Sequence, residues 1–115
     1  MGYTAIHYAS FRGNIDIIEL LIQNGADFLV KSPKGLNVLH LAAQGDRPDS
    51  LIYFKEKYKL DICERDLNGS TPLHWASFVG SDNILNFLLS WNIDINVQEN
   101  MGYTPLHLAV MSGNK

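Results

Sequence analysis

The apolar positions along this chain fall into short clusters at helical spacing, and the clusters return at a fixed interval. Ile17, Ile18, Leu20 and Leu21 form one stripe, and Ile84, Leu85, Phe87 and Leu88 form another of the same shape. Separations of three and four place such residues on one face of an α-helix. A smaller cluster precedes each stripe, Ile6 with Ala9 and Leu73 with Ala76, and predicts a shorter first helix. Gly13, Gly80 and Gly113 follow the first helices, and Gly25 and Asn92 follow the second. Both residue types suit the left-handed turn that ends a helix. A β-turn hairpin is expected between one pair and the next, so the chain reads as all-α helix pairs joined by short hairpins.

The helix starts are marked as well. Thr4, Thr71 and Thr104 stand where a side-chain oxygen can accept from the free amides of the first turn. Pro72 and Pro105 follow at the first helical position, where the missing N–H costs nothing. Asn37-Val38 and Ala5 are the departures, and both leave a helix expected. The segments Gly2-Tyr3-Thr4-Ala5-Ile6-His7-Tyr8-Ala9, Gly35-Leu36-Asn37-Val38-Leu39-His40-Leu41-Ala42, Gly69-Ser70-Thr71-Pro72-Leu73-His74-Trp75-Ala76 and Gly102-Tyr103-Thr104-Pro105-Leu106-His107-Leu108-Ala109 are in register. Their histidines lie 33, 34 and 33 residues apart. A period of this length marks stacked supersecondary units.

These residues resemble the ankyrin repeat. Thr71 to Ala76 and Thr104 to Ala109 match its T-P-L-H-x-A signature at every fixed position. The resemblance covers essentially the whole chain and implies an all-α solenoid, helix-turn-helix units stacked and joined by β-hairpin loops. It divides 1–115 into a single array of repeats 2–34, 35–68 and 69–101 with a partial repeat 102–115. Met1-Gly2-Tyr3-Thr4 recurs as Met101-Gly102-Tyr103-Thr104, and neither end carries a polar capping repeat. The sequence is therefore expected to be a piece of a longer protein, open to weak self-association through uncapped ends.

Repeat two is irregular. Gly45-Asp46-Arg47-Pro48-Asp49 holds its extra residue, and Lys55 and Glu56 stand where the other second helices have leucines. Lys59 occupies the turn position of Gly25 and Asn92, where such a residue is disfavoured. This repeat is expected to take another turn shape or to be locally the least stable.

Composition removes several functions. The net charge is −3, and no cluster of basic residues exceeds the Lys55–Lys59 stretch, so nucleic acid is not an expected partner. The apolar runs are too short to span a bilayer, and Ile6 stands where an acylation signal after Met1-Gly2 needs Ser or Thr. The single Cys63 fits a reducing, cytoplasmic compartment. Equivalent histidines of stacked helices stand about 8–10 Å apart, a ladder too open for zinc. Each is expected to bond the Thr or Asn three residues earlier. No catalytic constellation is present, and no cofactor or metal is expected.

Solenoids bind on their concave side, and the resemblance implies contacts from hairpin tips and the first helix. Carried onto this chain, the partner-binding set is Tyr3, Leu36, Ser70 and Tyr103 from the hairpins, with Tyr8, Phe11, Arg12, Gln44, Trp75, Phe78 and Met111 from the first helices, beside Leu41 and Leu108. Tyr8 with Phe11, and Trp75 with Phe78, are three apart and share a face distinct from the packed one. Trp, Tyr and Arg are enriched among interface anchors. Repeats two and three, through Leu39-His40-Leu41-Ala42-Ala43-Gln44-Gly45-Asp46, Ser50-Leu51-Ile52-Tyr53-Phe54 and His74-Trp75, also look like the ankyrin region of DHHC-type protein S-acyltransferases. Three readings follow. The chain is a module gripping an extended segment of a partner protein, or a substrate-recruiting domain on the cytosolic face of a membrane ahead of an acyltransferase, or a scaffold segment facing its own parent chain. None makes the module itself an enzyme.

Overall fold

The computed structural model describes residues 3–113 and contains seven helices with no strand among them: α1 Ala5–Arg12, α2 Ile15–Gln23, α3 Val38–Gln44, α4 Pro48–Tyr58, α5 Pro72–Val79, α6 Asp82–Ser90 and α7 Pro105–Met111. The inner helices α1, α3, α5 and α7 pack in sequence, each on the next, and α2, α4 and α6 back them. The molecule measures 40 × 28 × 23 Å.

The helix starts form as their chemistry dictates. The Oγ1 of Thr71 and of Thr104 accepts the amide of His74 and of His107, at 3.4 and 3.3 Å. Asn37 does the same work in repeat two, its Oδ1 accepting from Leu39 and His40 at 2.9 and 3.0 Å. Gly13, Gly80 and Gly113 all take positive φ after their helices.

Repeat two departs from expectation. Lys59 adopts the left-handed turn after all, φ 56° against 57° at Asn92. Its second helix does not lose its core face to Lys55 either. In α6 the fully buried residues are Ile84 and Leu88; in α4 they are Ser50, Leu51 and Phe54, of which Ser50 and Phe54 stand as far from His40 as Ile84 and Leu88 stand from His74. A separation of four lies on one helix face, so the Phe54 ring takes the place that Leu88 takes in repeat three. Phe28 stacks on Tyr58 at 4.2 Å beside it. Lys55 is left on the surface, with its ammonium 4.7 Å from the Trp91 ring.

The extra residue does not lie in 45–49 as expected: α4 starts as far after His40 as α2 does after His7 and α6 after His74. It falls late in α4, between Phe54 and Lys59, in a helix of 11 residues against 9. Asp46, the counterpart of Gly13 and Gly80, has a task in the next repeat. Asp46, at φ 53°, accepts the Ile84 amide on Oδ1 and the Asn83 side chain on Oδ2, both at 3.0 Å. It caps α6, whose own Ser81 makes no side-chain cap. Ser81 instead donates to the Ala43 carbonyl at 2.6 Å. Two polar links thus join repeats two and three across their helix connections.

Candidate protein-binding groove

The histidine ladder is structural in its geometry. At each of Thr4, Asn37, Thr71 and Thr104 the backbone N–H donates to the Nδ1 of the histidine three residues on, at 3.1 Å. A backbone N–H can only donate, so Nδ1 accepts and the ring proton sits on Nε2. That proton serves a hairpin carbonyl: Val30 for His7, Ser70 for His40 and Tyr103 for His74, at 3.1, 3.0 and 3.1 Å. Burial holds the pKa of these three imidazoles below the usual 6.5. Among the described residues no three His, Cys, Asp or Glu side chains converge on a point.

The hairpins are joined by backbone. The Leu67 amide donates to the Lys34 carbonyl, and the Asn100 amide to that of Asn68, each at 2.9 Å. Gly35 and Gly69 allow this approach, because a Cβ at either would stand 2.8 Å from the Leu67 nitrogen or 2.4 Å from the Asn100 side chain.

Between the second and third of these hairpins and the faces of α5 and α7 lies a groove of about 420 Å³. Its walls are Ser70, His74, Trp75, Phe78 and Leu108, with Asn68, Glu99, Asn100 and Met101 from the hairpin tips. Trp75 is half-buried and Phe78 is 46% exposed; their rings stand nearly perpendicular, 6.4 Å between centroids. The indole Nε1 donates to the Asp66 Oδ2 at 2.9 Å, which fixes the ring in place. Glu99 Oε1 accepts the Met101 and Tyr103 amides at 2.7 and 2.9 Å and so shapes the facing turn.

The other sequence-derived positions scatter. Leu36 is only 2% exposed and offers a partner nothing; its amide and carbonyl are bonded to Ser32, and the side chain folds inward. Leu41 is buried too, covered by the neighbouring repeats. Ser70 is buried but still contributes to the groove wall, and Gln44 is half-buried. Tyr103 gives its carbonyl to His74 but its side chain stays outside the groove lining, 6.1 Å from the His107 ring. Tyr8 and Arg12 line a separate shallow depression with Ile17 and Leu21 at the first repeat. Tyr3 packs edge-on against His7 and Tyr8, and Phe11 and Met111 are exposed away from the groove. Sequence reasoning missed Asn68, Glu99, Asn100 and Met101. The signal available was their position just before the hairpin glycines.

A family model described as ankyrin repeats (three copies) matches residues 6–99 and again 39–115. The chain belongs to the ankyrin-repeat family. Ankyrin repeats are non-catalytic modules that generally mediate protein–protein interaction. The array is 42% identical over 89 residues to alpha-latrotoxin-Lt1a of Latrodectus tredecimguttatus, 76% of this chain but 6% of that protein. It is 35% identical over 92 residues to palmitoyltransferase AKR1 of Lachancea kluyveri, 77% of this chain and 12% of the relative. Against the Notch-regulated ankyrin repeat-containing protein of Xenopus tropicalis it is 34% identical over 64 residues, 56% of each. The ankyrin array thus spans a small part of the first two and about half of the third.

Proposed function

We propose that this ankyrin array binds an extended segment of a partner protein in the Trp75 groove. The observation that carries the reading is the state of Phe78. A large aromatic side chain lies 46% exposed at the mouth of a concave site, beside an indole already held by a buried carboxylate. Pre-set aromatic anchors of this kind dominate interface energetics because little freedom is lost on binding. Phe78→Ala should cost a partner about 2 kcal/mol or more of affinity. It should cost the fold much less than the roughly 3–5 kcal/mol of a core aromatic. Affinity for peptides selected on the wild-type array, set beside the melting midpoint, tests this. A large fall in the midpoint with unchanged affinity would remove Phe78 from the site.

A second reading is that the module recruits substrate for a DHHC-type acyltransferase on the cytosolic face of a membrane. The similarity to a palmitoyltransferase favours it. It requires a parent coding sequence with several membrane spans and a DHHC cysteine motif, and sequencing the parent transcript decides it. A cytoplasmic site of action belongs to both readings, and the lone, exposed Cys63 is compatible with it.

A further inference from the structure

We propose that the Trp75 groove takes a basic side chain, lysine or arginine, from the segment it binds; this rests on the reading that the groove is a peptide site. Glu99 is the one charged residue in the groove lining. One of its oxygens holds the Met101–Tyr103 turn, and the charge of the carboxylate remains at the wall. A second carboxylate, Asp66, lies directly behind the indole at 2.9 Å from Nε1. An N–H donated to an anion pushes electron density into the ring, and an electron-rich aromatic face attracts ammonium or guanidinium charge.

Arg65 makes no ion pair with either carboxylate of this wall. It spends Nη1 on the carbonyls of Gly69 and Gln98, at 2.9 and 2.7 Å, and lies outside the groove lining. His74, which does line it, is kept neutral by burial. Beside the neutral polar Asn68, Ser70 and Asn100, the lining offers apolar surface from Phe78, Met101 and Leu108. Lysine and arginine carry an aliphatic stem under a charged head, and such a stem covers apolar surface while the head finds its counter-charge. The net charge of −3 favours approach of a basic segment at long range.

The test begins with a random heptapeptide library displayed on phage and selected on the 115-residue chain. Selected peptides are synthesised with each basic residue kept or replaced by norleucine, and titrated against wild type, Phe78→Ala and Glu99→Gln. The glutamine keeps an oxygen for the Met101 and Tyr103 amides while removing the charge. The expected result is Phe78-dependent peptides carrying Lys or Arg, weakened about tenfold by Glu99→Gln, with norleucine versions indifferent to it. Should Glu99→Gln disturb the fold, raising salt from about 50 to 500 mM on the wild type gives the same separation. Phe78-dependent peptides without basic residues, or with affinities blind to Glu99 and salt, would overturn the basic side chain and leave the groove standing. Peptides that bind regardless of Phe78, or no peptides at all, would overturn both.

Discussion

The carboxylate of Asp46, in repeat two, caps the helix that begins repeat three's second layer, accepting the Ile84 amide at 3.0 Å. The cap comes from another repeat, so its loss weakens a helix and a repeat junction together. Asp46→Ala should destabilise the array by about 1–2 kcal/mol. Asp46→Asn, which keeps the acceptor and tolerates φ 53°, should stay near wild type. Urea unfolding of the two variants checks this, with Asp46→Gly separating the cap from the backbone conformation.

Gly45 has an ordinary φ of −86°, yet a Cβ there would fall 2.0 Å from the Phe11 carbonyl oxygen. The constraint is contact alone. Gly45→Ala should cost about 3 kcal/mol or more, because backbone on α1 cannot yield as a side chain tip would. At Gly25, where nothing lies within 4 Å, only the positive φ opposes alanine, and the cost should be about 1–2 kcal/mol. Paired denaturation midpoints distinguish the two causes.

Acid should loosen the array. His7, His40 and His74 have folded pKa values depressed below 6.5 by burial, so the folded state binds fewer protons than the unfolded chain. Their stabilisation is complete above pH 6.5 and is lost as pH falls through the folded values. A proton on Nδ1 would face the amide that now donates to it. Glu64 and Asp66 near His40, and Glu99 near His74, offset part of the depression, while Arg65 adds to it at His74. Melting midpoints should be level between pH 7 and 8 and fall steadily from 6 to 5.

The middle of the array should exchange slowest. All of α3 up to Ala43 is buried, and α4 sends Leu51 and Phe54 fully into the core. Amides of α3 and α4 should therefore outlast those of α7, where Leu106 and Val110 are 73% and 68% exposed. This reverses the expectation drawn from Lys55, Glu56 and Lys59, and hydrogen exchange decides it. The same exposed pair should make the isolated chain associate with rising concentration, and Leu106→Lys with Val110→Glu should abolish that in sedimentation.

What was legible in the sequence was whatever is settled within one repeat. A threonine, a proline and a glycine fix where α5 starts and stops through atoms at most a few residues away. The aromatic pair Trp75 and Phe78 was visible for the same reason, as three-residue spacing on one helix. One hidden point was where the extra residue falls. It comes after Phe54, which keeps Phe54 as far from His40 as Leu88 is from His74, and so Phe54 and not Lys55 faces inward. The rest of what was hidden depended on the neighbour. The partner of Asp46 lies 38 residues away. Leu36 looked like a tip residue because it follows a hairpin glycine, but Ser32 Oγ accepts its amide at 3.1 Å and the side chain is buried.

The hairpin joints are made by main-chain atoms, Leu67 to Lys34 and Asn100 to Asn68. The side chains that add to these joints are few: Asn100 donates to the Leu67 carbonyl at 2.9 Å and Arg65 to that of Gln98 at 2.7 Å, beside the glycines that allow the approach. Leu67 and Met101 therefore stand at the rim with no duty in assembly. Selection could exchange them freely, altering what the rim recognises without disturbing how the repeats stack. Scaffold and vocabulary are inherited separately in this architecture, and a lineage could learn a new partner at these tips without relearning how to fold.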